Sequence, residues 1–216
     1  MARAIWRWVN WAVVGACLLA SALAAVVTLW VVIERHRIAD LNRTHERPLL
    51  VHPDDPVLAN AHQLLGTLRP PPSRDSLQFV VMPSFGPRWF AVSLAQTGSE
   101  GVGEANVVSP DGRRIARYEF VMPTNNVARL LARWDALSDG YSGEGHLMAD
   151  GNPLAFERHR GNRVTSGEGN SPCHYDVLGD LAAQSLSTFV PELLDLRIVQ
   201  QSDVSQSDLC RGSILG

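Results

Sequence analysis

Residues 11–33 read WAVVGACLLASALAAVVTLWVVI, an apolar run that no charge enters and that only Gly15, Ser21 and Thr28 interrupt. A bilayer core of about 30 Å needs about 20 such residues in a helix rising about 1.5 Å per residue. The run therefore predicts a transmembrane helix, preceded by a short basic tail over residues 1–10. Trp6, Trp8 and Trp11 cluster at one end and Trp30 lies near the other. Indole rings favour the headgroup level, so these positions mark two aromatic belts.

After Ile33 the pattern turns polar. In 34–47 the strong apolar positions are Ile38 and Leu41, which predicts that the helix continues for two or three turns as a solvated stalk. Asp55 as cap and Pro56 at the first helical position open a second helix. Its stripe is Val57, Leu58, Ala61, Leu64, Leu65 and Leu68, with His62 as a packed residue inside it. Pro70, Pro71 and Pro72 then form a stiff connector. The whole of 34–74 is expected to be a juxtamembrane stalk.

From residue 75 the period becomes two. Leu77, Phe79 and Val81 alternate in one strand, and Phe90, Val92 and Leu94 in the next. Residues 97–104, TGSEGVGE, predict a flexible glycine-rich hairpin connection; they lack the lysine and the strand–loop–helix setting of a phosphate loop. Ser109-Pro110-Asp111-Gly112 is a turn signal between two further strands. On the longer of these, Ala116, Tyr118, Phe120 and Met122 share one face and Arg117 and Glu119 the other. Val127, Leu130, Leu131, Trp134 and Leu137 then recur at helical spacing up to Gly140. A second half follows: strands over 146–149 and 154–159, a turn at Gly161-Asn162, a short strand around Val164, and a helix over 175–190 with Leu178, Leu181, Ala182, Leu186 and Phe189 inward. Asp-Gly-x-x-[Ile/Leu]-Ala occurs at 111–116 and again at 150–155. The expected fold is α+β: an antiparallel sheet with two helices on one face, in hairpin–helix–hairpin–helix order, occupying 75–199. A polar tail follows over 200–216, disordered by composition.

Charge narrows the partners. Residues 34–216 hold all 22 acidic residues against 17 of the 19 arginines, and the chain has no lysine. An acidic domain is a poor binder of nucleic acid. The flanks of the apolar run disagree with its expected direction. Arg35, Arg37, Arg43 and Arg47 outnumber Arg3 and Arg7, which favours a cytoplasmic domain. The layout of short basic tail, apolar run and large domain favours export, as does the possibility that Cys173 pairs with Cys210. That bridge would close a 38-residue loop and add about 4 kcal/mol in the chain-entropy model. The expectation is an uncleaved anchor in the inner membrane with the domain outside the cytoplasm. Cleavage after Ala22-Leu23-Ala24 would leave an apolar new terminus, and lipidation at Cys17 would have too few apolar residues before it.

Candidate chemistry is sparse. The sequence has no C-x-x-C, H-E-x-x-H, G-x-S-x-G or Walker motif. His146, His159 and His174 fall in the second half with Asp150, Glu157 and Asp176, and His159 shares a strand face with Glu157. No residue stands out as catalytic, metal-ligating or cofactor-binding, and no cofactor is expected. The expected function is an accessory or assembly subunit of an envelope complex, acting through protein–protein contacts. The rivals are an envelope enzyme of hydrolase type with its site in residues 145–176, and a domain that binds a small ligand on the open sheet face.

Overall fold

The computed structural model describes residues 2–50, 55–145 and 151–196. The first helix, α1 (Ala2–Asn42), runs 41 residues without a break. It is the one helix among the described residues long and apolar enough to cross a membrane, and none of its apolar stretch is buried by the rest of the chain. Trp11, Leu19 and Trp30 stand 64–75 % exposed. So bare an apolar surface makes α1 a candidate membrane-spanning helix.

The second helix, α2 (Pro56–Leu65), begins as its sequence directs: the Asp55 carboxylate accepts from the N–H groups of Val57 and Leu58, with proline in the first turn. Four strands follow as a meander, β1 (Asp75–Val81), β2 (Trp89–Thr97), β3 (Glu100–Val108) and β4 (Arg114–Pro123). Helix α3 (Thr124–Ser138) carries the chain back across the sheet. Strands β5 (Leu154–Arg160) and β6 (Arg163–Gly169) then add on the far side of β1, and α4 (Tyr175–Leu186) and a 3-10 turn (Pro191–Leu194) complete the domain. The sheet order is β4-β3-β2-β1-β5-β6, antiparallel throughout. The α+β class is thus as expected. The two copies of the short sequence repeat lead to different places in the sheet: 111–116 leads into β4, an outer strand, whereas Leu154 and Ala155 open β5, between β1 and β6. The expected strand over 146–149 lies outside the described residues.

Helices α3 and α4 cover one face, where Phe79, Val92, Leu94, Phe156, Leu130, Leu178 and Leu181 form the main core. Trp134 of α3 sits at its centre, fully buried, with ring centroids 5.2 Å from Phe79 and 5.5 Å from Phe156. The segment read as a stalk is packed on the domain. Ala61, Leu64 and Leu68 lie on the opposite sheet face against Val80, Met82, Ala91 and Ala155. The inner residues of β1 and β2 are apolar on both faces near that end, and α2 is what keeps the second face dry.

The expected flexible loop over 97–104 is mostly strand. The turn needs only Gly98 (φ 58°) and Ser99, and β3 starts at Glu100. Glycine is required in β3 by close approach: a Cβ on Gly101 would overlap Val127 of α3, and one on Gly103 the ring of Phe120. That ring stacks on Phe189 at 5.0 Å and cannot retreat freely. Gly103→Ala should therefore cost about 1–3 kcal/mol by overpacking, measured as a lower urea midpoint with an unchanged slope.

Candidate functional site at the anchor junction and the open sheet edge

Helix α1 does not end on a loose tether. Asn42, its last residue, is 1 % exposed. Its side chain donates to the carbonyls of Ile38 (3.0 Å) and Glu144 (3.4 Å), and its own carbonyl accepts from the Tyr175 hydroxyl at 2.8 Å. Thr44 donates its N–H to the Tyr141 carbonyl (3.0 Å) and its hydroxyl to that of Ser138 (2.7 Å). His45 exchanges two backbone hydrogen bonds with Ser166 of β6, at 2.7 and 2.8 Å. The Ser166 hydroxyl donates to the Arg47 carbonyl, and the Leu49 N–H to Glu157. Gly143, at φ 84°, lies so close to α1 that a Cβ would overlap the Ala39 carbonyl. The chain leaving the anchor is thus bonded along the outer edge of β6, and the loop after α3 is pressed against the last turns of α1.

Behind this junction is a buried polar cluster. The rings of Tyr141 and His174 stack with centroids 3.6 Å apart, and Tyr175 meets His174 edge-on at 4.8 Å. Burial takes His174 down to about 4, so its imidazole is neutral at pH 7. The Tyr141 hydroxyl donates to Glu144 at 3.1 Å. Asp176 is 4 % exposed. Its carboxyl is pushed up to about 7, chiefly by burial and then by the charge of Asp180, against a hydrogen bond from Asn152. On β6, burial and the charge of Asp55 likewise push Glu168 up to about 7. Burial thus disfavours the charged form of His174, Asp176 and Glu168 alike, as desolvation requires.

The residues singled out from the sequence are scattered. His159 and Glu157 are paired, Nε2 to Oε1 at 2.5 Å, but partly exposed and on the α2 side of the sheet. His174 lies on the helix side, so the two histidines do not share a site. Cys173 lies just before α4, while Cys210, His146 and Asp150 lie outside the described residues. Among the described residues, no group of three or more His, Cys, Asp or Glu side chains is placed to hold a metal ion. Asn42, Thr44, Tyr141 and Glu144 were not legible as a cluster. Their signal is the glycine-flanked sequence over 140–145, which reads as a helix end and only in three dimensions as the seat of another helix.

The two sheet edges differ. The β6 edge is bridged at Ser166 by His45, whereas β4, ten residues long, pairs with β3 alone among the described residues. Ile115 and Val121 stand 50 % and 55 % exposed on it. On the face away from α3 and α4, Arg117 bonds Glu104 (3.0 Å) and Glu119 (3.2 Å), and Arg69 bonds Glu119 (3.0 Å). A concavity of about 430 Å³ opens there between β3, β4 and the Arg69–Pro72 crossing, with Val102 and Val121 in its wall.

The architecture defines a class, an α+β domain fixed to one candidate membrane-spanning helix. No protein-family model, curated protein or solved structure matches the chain.

Proposed function

We propose that the chain is a single-pass membrane protein whose extracytoplasmic domain works by protein–protein contact, as an accessory or assembly subunit. The observation that carries this reading is the asymmetry of the sheet edges. An exposed strand edge offers a row of N–H and C=O groups to any extended chain, and proteins usually cover or blunt it. Here the chain leaving α1 bridges one edge at Ser166, and the other carries half-exposed Ile115 and Val121. The bonded junction supports the same reading, because it holds that edge at a fixed attitude to α1. Export of the domain and a Cys173–Cys210 bridge belong to this proposal.

A photo-crosslinking amino acid at Val121, in the full chain in native membranes, should give protein adducts at least tenfold more abundant than the same group at Arg133 on the exposed side of α3. Equal labelling at the two positions, or none, would refute the reading.

A further inference from the structure

The edge strand is self-complementary about one residue. Centred on Tyr118, antiparallel pairing of β4 with a second β4 sets Arg117 opposite Glu119 twice. It sets Ala116 opposite Phe120 twice, and Tyr118 opposite itself. Opposite charges directly across a strand pair are favourable and like charges are not. Shifting the centre by one residue in either direction puts Arg117 against Arg117 or Glu119 against Glu119. The charges therefore select the Tyr118 register. Arg117 and Glu119 are 33 % and 58 % exposed in their side chains and lie on the face away from α3 and α4; a cross-seam pair would add to, or exchange with, their exposed pairs to one another and to Arg69. At the flanks, Val121 of one copy and Ile115 of the other bring the half-exposed apolar groups of this edge together. A bulge ends regular pairing there: β3 registers Val107 with Ala116 and Val108 with Arg114, passing over Ile115.

We infer that β4 is the seam of a homodimer, two copies pairing edge to edge about Tyr118 into one twelve-stranded sheet. The inference rests on the proposed docking role of this edge and names its partner as a second copy of the chain. The contact is isologous, with its twofold axis normal to the sheet, so the α3–α4 layers of both copies lie on the same side. Five regular residue pairs make a small interface. The arrangement requires the twofold axis to lie along the membrane normal, so that both α1 helices enter one bilayer from the same side; the two chains then meet at a raised effective concentration, which compensates for that size.

The test uses the full chain in membranes, with Cys17→Ser to remove the thiol of the apolar helix. In the Tyr118 register, Cα atoms of opposed residues lie about 4.5–5.5 Å apart, within reach of a disulfide. Tyr118→Cys should then give an oxidised dimer in good yield. Ala116→Cys, about 14 Å from its counterpart, should give at least tenfold less. Adding Glu119→Arg to Tyr118→Cys sets Arg against Arg across the seam and should lower the dimer at least tenfold. Equal trapping at 116 and 118, or none at either, overturns the dimer. So does a protein that stays monomeric until residues 201–216 are removed, since its own tail would then hold the edge. If the dimer fails while Val121 still crosslinks to a different protein, the docking role stands and only the identity of the partner is wrong. If Val121 labels nothing, both fall.

Discussion

Arg158→Met should destabilise the domain by about 3–5 kcal/mol, chiefly the cost of leaving the mostly buried Asp135 without its cation. Arg158 is on β5, a strand with neighbours on both sides, and its side chain is 3 % exposed on the helix face. Its guanidinium forks onto Asp135 of α3, Nε to Oδ1 at 2.9 Å and Nη2 to Oδ2 at 3.2 Å. Nη1 reaches Asp75 at 2.5 Å and also donates to the carbonyls of Ser76 and His159. One side chain thus ties α3 to β1 and β5 at the end of the core where apolar contacts run out. Asp135, only 15 % exposed, keeps Arg160 at 3.3 Å as a poorer partner when Arg158 goes. Asp75 turns to solvent more easily, which places the expected cost toward the lower figure. For a domain of this size the melting temperature should fall by roughly 10 °C. Arg158→Lys should recover part of the loss, because an ammonium keeps the charge but not the fork. Adding Asp135→Asn to Arg158→Met should also recover part of it, by removing the orphaned charge. A loss below about 1 kcal/mol for Arg158→Met would mean that water already screens the pair.

Arg158 also shows how far the sequence could be read. Its parity with Leu154 and Phe156 places it inward, yet an arginine at such a position reads as the end of the buried run. Only the acids that α3 and β1 bring to it make its burial affordable. The apolar helix was legible from its length and composition, and the three amphipathic helices and the strands of the meander because each buries a face whose period appears in the chain. Trp134 is the clearest case, a core anchor from its stripe alone. What escaped depends on contacts distant in sequence. Ala61 and Leu64 show a helical stripe, but nothing local says that the stripe lies on the second face of the sheet instead of standing off in a stalk. Gly101 and Gly103 look like loop residues until Val127 and Phe120 occupy the space their side chains would take. Asn42 and Thr44 look like stalk polarity until Tyr175, Tyr141 and Ser138 supply their partners. His159 and His174, close in the sequence pattern, do not converge: His159 pairs with Glu157 on the α2 side, and His174 stacks on Tyr141.

The pH dependence of stability should carry two opposed signatures from the buried cluster behind the anchor junction. Asp176 binds its proton more tightly in the folded protein, up to about 7 against an ordinary 3.8. Its contribution is fully present below the ordinary value and is lost as pH rises through about 7. His174 behaves oppositely. Its folded value, about 4, lies below the ordinary 6.5, so its contribution is present above 6.5 and is lost as pH falls toward 4. At about 1.4 kcal/mol for each pH unit between folded and unfolded values, the Asp176 effect is roughly 4 kcal/mol and the His174 effect roughly 3 kcal/mol. Asp176→Asn keeps the shape and removes the titration. The variant should be more stable than the parent at pH 8, and the difference should shrink by roughly 4 kcal/mol on going to pH 4. His174→Gln should show its relative gain at the acid end instead. Glu168 has the same sign as Asp176 but is half-buried, so water screens its share; it is present in parent and variants alike and cancels from each difference. Urea titrations of the full chain in detergent from pH 4 to pH 8 measure both curves. Parallel curves for parent and Asp176→Asn would show that Asp176 is solvated in the folded protein and that the junction is wetter than its packing indicates.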